Sequence, residues 1–436
     1  MHKNIFVLGL ERFNLDRLKN IRNASQYRFH SLLDFEEIVK PRQYRYRQLL
    51  QKAEAQLESF SGHIDGIVSH WDFPAQTMLP LLCRRFGLPG PTLESVLKCG
   101  HKYWARVEQK KIIPEHIPDF CAVDPFAGNP LAQVSLDTPF WLKPIKSFGS
   151  HLGFRIDAEA DFARAIEITR KRIRRIGDAY NEALEYADLP AEIEGIGGNH
   201  CIAEQIITGE RQNGPEGYVY QGDVQVYGIT DSLKDPGTNS FNRYSYPSVW
   251  PEHLQARSRE ISKRLVRHVG LDNTPFNTEF IWDEDSDRIC LIELNPRISQ
   301  SLSYMFEKVH GASNHQVAVA LAQGRKPDYP MEEGRFRCAA KFMWRHYQDA
   351  IVKRVPDREQ IEKVKQLFPG TEVSIEVREG MRLSDLMDQD SYSYEIAILS
   401  IGAQNHEALL ERYRRCREIL QFEFADIHQP RQKDAG

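Results

Sequence analysis

Residues 276–301, FNTEFIWDEDSDRICLIELNPRISQS, constrain this chain more than any other stretch. They read as two apolar-rich strands joined by the acidic turn DEDSD at 283–287. The second strand ends in Glu293-Leu294-Asn295-Pro296-Arg297. Side chains alternate across a strand, so Glu293 and Asn295 share a face that Arg297 can continue. Glu279, on the neighbouring strand, is placed to sit opposite. Two carboxylates and an amide oxygen make a hard, oxygen-only ligand set. Mg²⁺ favours such a set, taking one or two carboxylates and completing its shell with phosphate and water. Arg297 beside it suits a phosphate or an acyl-phosphate. The plainer reading of the same residues is a hairpin with a solvated polar face.

The bulk properties narrow the field. A chain of 436 residues has room for two or three domains with ample core. A formal net charge of −4 gives no electrostatic case for nucleic acid. No apolar run reaches the ~20 residues needed to span a membrane, and the N-terminus lacks the pattern of a signal peptide. Seven cysteines are scattered without a CxxC pair. That pattern favours reduced thiols in a cytoplasm over a disulfide frame or structural zinc.

Strand-like runs at 5–10, 27–33 and 65–69 alternate with helical patterns at 43–60 and 74–86, which predicts a parallel α/β lobe over 1–118. Ligands gather at the carboxyl ends of such strands, where His70 and Asp72 lie as candidates for substrate contact or for capping the next helix. There is no GxGxxG after the first strand, so a dinucleotide site is not expected. Further on, a strand at 139–145 carries Lys143 and feeds a small-residue loop with Ser147, Gly149 and Ser150. A lysine followed by a loop whose backbone N–H groups are accessible suits a triphosphate. The basic cluster at 170–175 lacks interleaved aromatics and reads as a solvated helix face. A strand at 201–207 follows, then a polar loop at 234–251 with Arg243, an amphipathic helix at 252–269 and the opening hairpin. Beyond Arg297, Ser299, Gln300 and Ser301 precede a helix whose N-terminus is suited to an anion. Residues 331–436 alternate strands and helices and contain Lys341 and Arg345.

Taken in order, these motifs resemble the ATP-grasp ligases with a biotin-carboxylase-like arrangement. The resemblance implies a mixed α/β and α+β architecture: a Rossmann-like pre-ATP-grasp lobe (1–118), a two-lobed ATP-grasp fold (119–330) and a small C-terminal α+β lobe (331–436). By resemblance, Lys102 in HKYWAR and Lys143 meet nucleotide phosphates, and 147–153, with Ser147, Gly149 and Ser150, is a flap. Glu204, Gln205, Ile207 and Glu210 match the segment that contacts adenine and ribose. Glu279, Glu293 and Asn295 match the metal ligands, and Arg297 the catalytic arginine. The implied cofactors are ATP and Mg²⁺ (or Mn²⁺). The implied activity is that of an ADP-forming carboxylate–amine ligase acting on small molecules, similar to L-amino-acid and dipeptide ligases. The alternatives are a carboxylating enzyme using bicarbonate, against which the short flap weighs, and a nucleotide-binding module without catalysis, against which the intact metal ligands weigh. Biotin-carboxylase-like proteins are often dimers, so a homodimer is a further expectation.

Overall fold

The computed structural model describes residues 2–147, 151–235, 237–238, 240–386 and 393–426. The chain divides into two compact units: 1–230 with 248–303 and 312–330, and 231–247 with 304–311 and 331–436.

The first unit opens with a three-stranded parallel sheet in the order Tyr27–Leu32, Lys3–Leu8, Gly66–Val68. A parallel sheet is covered on both faces, so its strands read as continuous apolar runs. Phe6 and Leu8 enter a core shared with the helices Tyr46–Glu58 and Ala75–Arg85. Ile5 and Val7 enter a second core with Ile298, Ala318 and Val319. The residue that follows Arg297 is thus packed beneath the N-terminal sheet. The helix His315–Ala322 approaches that sheet so closely that a Cβ on Gly66 would lie 2.9 Å from the Ala322 carbonyl oxygen.

An antiparallel sheet of four strands follows, in the order Phe120–Val123, Cys201–Gln205, Phe140–Pro144, Phe154–Ile156. The helix Glu159–Arg172 backs it through Phe162, Ala165 and Ile166. The next helix, Arg174–Leu184, turns Tyr180 and Ala183 into the N-terminal core instead. The hairpin strands Thr274–Asp283 and Arg288–Asn295 extend a sheet with Arg211–Tyr220 and the first part of Asp223–Lys234. The helix Glu252–Val269 covers it, placing Leu254, Ile261, Leu265 and Val269 at helical spacing against Phe276, Phe280 and Leu291.

In the second unit the antiparallel order is Phe241–Tyr246, Cys338–His346, Tyr394–Ala403, Glu372–Ile375, with helices Arg358–Leu367 and His406–Ile419. The stretch expected to be a loop at 234–251 therefore contains a strand, paired Ser232 to Tyr244 on one side and Tyr244 to Lys341 on the other. Arg243, Lys341 and Arg345 all belong to this unit. The guanidinium of Arg345 donates to the Phe241 carbonyl and to Ser393 Oγ. No described helix is long and apolar enough to cross a membrane. All seven cysteines are free thiols; Cys121 is partly exposed and the other six are buried.

Candidate functional site

The hairpin register places Glu279 directly opposite Glu293, and Asn277 opposite Asn295. A register shift falls immediately after Glu279, a kind of irregularity that re-aims side chains. The alternation is as read from the sequence: Thr278, Phe280, Leu294 and Pro296 are buried, while Glu279, Glu293, Asn295 and Arg297 are half-buried. The Asn295 amide donates to Glu293 Oε1 at 2.9 Å. Like charges directly opposite in a sheet repel. Burial, and then the charge of Glu293, pushes the Glu279 carboxyl well above its usual range. A divalent cation relieves that conflict, and the donors are all oxygen, so the residues fit Mg²⁺. Among the described residues no group of three His, Cys, Asp or Glu side chains gathers as a metal cluster. The pair of carboxylates plus one amide is a set that leaves room for phosphate oxygens.

Arg297 grips Asp72 through two contacts, Nε to Oδ1 at 3.1 Å and Nη2 to Oδ2 at 3.4 Å. Asp72 lies past the carboxyl end of the strand Gly66–Val68, and its backbone oxygen accepts from Gln76 N, so it serves helix initiation and the site together. Burial would raise the Asp72 carboxyl, but Arg297 and then Lys146 hold it below its usual range. His70 is buried, and neither ring nitrogen has a partner among the described residues.

Lys102 is the first residue of the helix Lys102–Ile112. His101 caps that helix: its Nδ1 accepts from Trp104 N at 3.1 Å, and its Nε2 donates to the Ile196 carbonyl at 2.7 Å. The Lys102 backbone N–H donates to the Ile145 carbonyl, and its Nζ to Ser147 O at 2.8 Å and Ser147 Oγ at 3.2 Å. The lysine is thereby tied to the root of the expected flap; Gly149 and Ser150 lie outside the described residues. Burial, then the charges of Lys143 and Lys146, lowers the Lys102 ammonium to about 7.

Lys143 forms an ion pair with Glu204, and so does Arg106, Nε to Oε1 at 2.7 Å. Burial alone would raise Glu204, yet Arg106 and Lys143 bring it down to about 2. The strand carrying Glu204 ends at Gln205, two residues earlier than expected. Ile207 and Glu210 lie beyond it; Gln205 and Glu210 are exposed, and among the described residues neither makes a side-chain hydrogen bond to the other site residues.

Two buried cations of the site were not singled out by sequence reasoning. Arg106 donates to Glu204, to Gln109 Oε1 and to the carbonyls of Leu291 and Ile292, joining its own helix to the strands Cys201–Gln205 and Arg288–Asn295. Its only signal is its place one helical turn after Lys102. Lys146, three residues after Lys143, is the other. The turn after Arg297 is also more engaged than expected: the Ser299 N–H donates to buried Glu216.

The family model for the ATP-grasp domain matches residues 136–304. A curated relative, uncharacterized protein y4rH of Sinorhizobium fredii (strain NBRC 101917 / NGR234), is 25% identical over 226 residues, 50% of this chain and 40% of that protein. The chain thus spans well under half the length of that relative. Among solved structures, an L-amino acid ligase from Bacillus licheniformis superposes with a TM-score of 0.69 at 16% identity, covering 98% of this chain and 99% of that one. The biotin carboxylase domain of the Hydrogenobacter thermophilus 2-oxoglutarate carboxylase, in complex with MgADP and bicarbonate, gives a TM-score of 0.62 at 16% identity over 97% and 91%. These two likenesses are of fold, and they run the length of the chain.

Proposed function

We propose that this chain is an ADP-forming ligase that joins a small carboxylic acid, of amino-acid type, to an amine. The observation that carries this reading is the opposed Glu279–Glu293 pair with Asn295, set beside the Arg297–Asp72 bridge and within electrostatic reach of Lys102. A site of that composition suits phosphoryl transfer, which asks a protein mainly for positioning and charge neutralisation. Glu279, Glu293 and Asn295 would hold Mg²⁺, which supplies neutralisation of the phosphate oxygens. Lys102 and Lys143 would meet the nucleotide phosphates. The segment 204–210 would border adenine and ribose.

In the first step a carboxylate oxygen attacks the γ-phosphorus, and the bond from that phosphorus to the β–γ bridging oxygen breaks. ADP leaves and an acyl-phosphate forms. In the second step the amine nitrogen attacks the acyl carbon. The carbon–oxygen bond to phosphate breaks, the electron pair leaves on phosphate, and the amine proton passes to the medium or to phosphate. Arg297 would carry the charge that builds on the transferred group. A covering 147–153 would keep water from the acyl-phosphate. Free, mostly buried thiols suit a reducing cytoplasm.

The test is ADP and phosphate release from Mg²⁺-ATP against amino acids singly and in pairs, with bicarbonate as a separate arm. Release that requires one amino acid and a second amine is the expected result. Bicarbonate-driven release would replace the ligase reading with carboxylation. Glu293→Ala should lower turnover by at least about a thousandfold while the protein stays folded; near-wild-type ADP formation by that variant would sink the site assignment.

A further inference from the structure

Among the described residues one buried charge of this site stands in no ion pair. Lys146 is 7% exposed, and among the described residues its ammonium makes one long contact, to the Gly100 carbonyl at 3.5 Å, and no ion pair. It lies 5.7 Å from the Tyr180 ring centroid. Burial lowers its pKa, while Asp72 and Glu293 hold it up and Arg297 opposes them. Two further polar atoms near it are also buried and without partners among the described residues: Gln76 Oε1 and Tyr180 Oη.

These atoms converge on one glycine. A Cβ on Gly100 would stand 3.3 Å from both Gln76 Oε1 and Lys146 Nζ, and 3.8 Å from Tyr180 Oη. Gly100 ends the helix Leu93–Gly100, and its missing side chain makes the room in which an ammonium, an amide oxygen and a phenol meet. Among the described residues only the Gly100 carbonyl is within hydrogen-bond distance of the ammonium, so donors of the lysine head remain for another acceptor. The arrangement holds a cation in place without neutralising it. Taking an ammonium out of water is costly unless it is paired, so an anion belongs beside it in the working enzyme.

We propose that Lys146, together with Arg297, receives the oxyanion of the transferred group, either the carboxylate of the acid substrate or the phosphate that the amine displaces. This rests on the ligase reading above. Lys102 and Lys143 serve the nucleotide; Lys146 serves what the nucleotide reacts with. The socket of Gly100, Gln76 and Tyr180 positions it.

The test uses the full chain and two probes, inorganic phosphate and acetate, titrated calorimetrically with and without saturating MgADP. Lys146→Met should keep MgADP affinity within about threefold and lose at least about tenfold in affinity for one or both anions. Loss for phosphate alone assigns Lys146 to the displaced phosphate; loss for acetate alone assigns it to the acid. Gly100→Ala, whose Cβ crowds the ammonium, should show the same selective loss and guards against a folding defect in the first variant. Equal anion affinities in wild type and both folded variants overturn the proposal, as does wild type that binds neither anion. If wild type fails to bind MgADP, the ligase reading falls, and the titration without nucleotide still decides the role of Lys146.

Discussion

Arg106 donates to Glu204, Gln109 and two carbonyls of the strand Arg288–Asn295, all inside the protein. Removing it strands a buried carboxylate and leaves two backbone acceptors without their donor. Arg106→Met should therefore cost about 3–5 kcal/mol of stability, read by calorimetry or denaturant unfolding. Arg106→Lys should recover little, because a point charge cannot span a carboxylate and two carbonyls as a planar guanidinium does. A loss under about 1 kcal/mol for the methionine variant would mean that Lys143 alone satisfies Glu204. Neither Arg106 nor Lys146 was legible in the sequence. A charged residue on an amphipathic helix or after a strand reads as surface. Its burial is decided by partners far along the chain, 98 residues away for Glu204 and 185 for Leu291.

At the scale of elements, the hairpin was the most legible part. Its alternation, acidic turn and Glu-x-Asn-Pro-Arg end carry the register, and the structure places Glu279 opposite Glu293 as that pattern requires. The helix Glu252–Val269 was equally plain, because Pro251 precedes it and Gly270 ends it at φ 75°. The strand Phe241–Tyr246 was missed because its first four residues are only half-buried and its polar side chains hide the alternation. The hairpin also makes a pH prediction. The folded-state pKa of Glu279 is raised, so the metal-free protein loses stability as pH rises from the ordinary carboxylate range through neutrality. Glu279→Gln should abolish that loss. In thermal unfolding without metal, the variant should gain on wild type between about pH 5 and about pH 8. The stabilisation that wild type gains from Mg²⁺ should disappear in it. A stability difference that does not change with pH would remove the argument from opposed charges.

For the whole molecule, buried neutral histidines set the acid limit. Burial lowers both His101 and His310 to about 4 from the ordinary 6.5. The unfolded chain takes up these protons first, so stability is full above about pH 6.5 and falls as pH drops towards 4, by about 3 kcal/mol for each histidine. His101→Asn keeps a capping side chain and removes one titrating group. It should flatten the fall in unfolding free energy by about one proton; an unchanged slope would exclude His101 as a contributor. The free thiols have a consequence of another kind. With Cys121 alone partly exposed and six thiols buried, the native protein should take a single maleimide promptly. The six remaining labels then arrive only as their surroundings open. Mass spectrometry of the adducts would read that opening separately at Cys83 and Cys99, at Cys201 and Cys290, and at Cys338 and Cys416, so the chain carries its own set of local clocks.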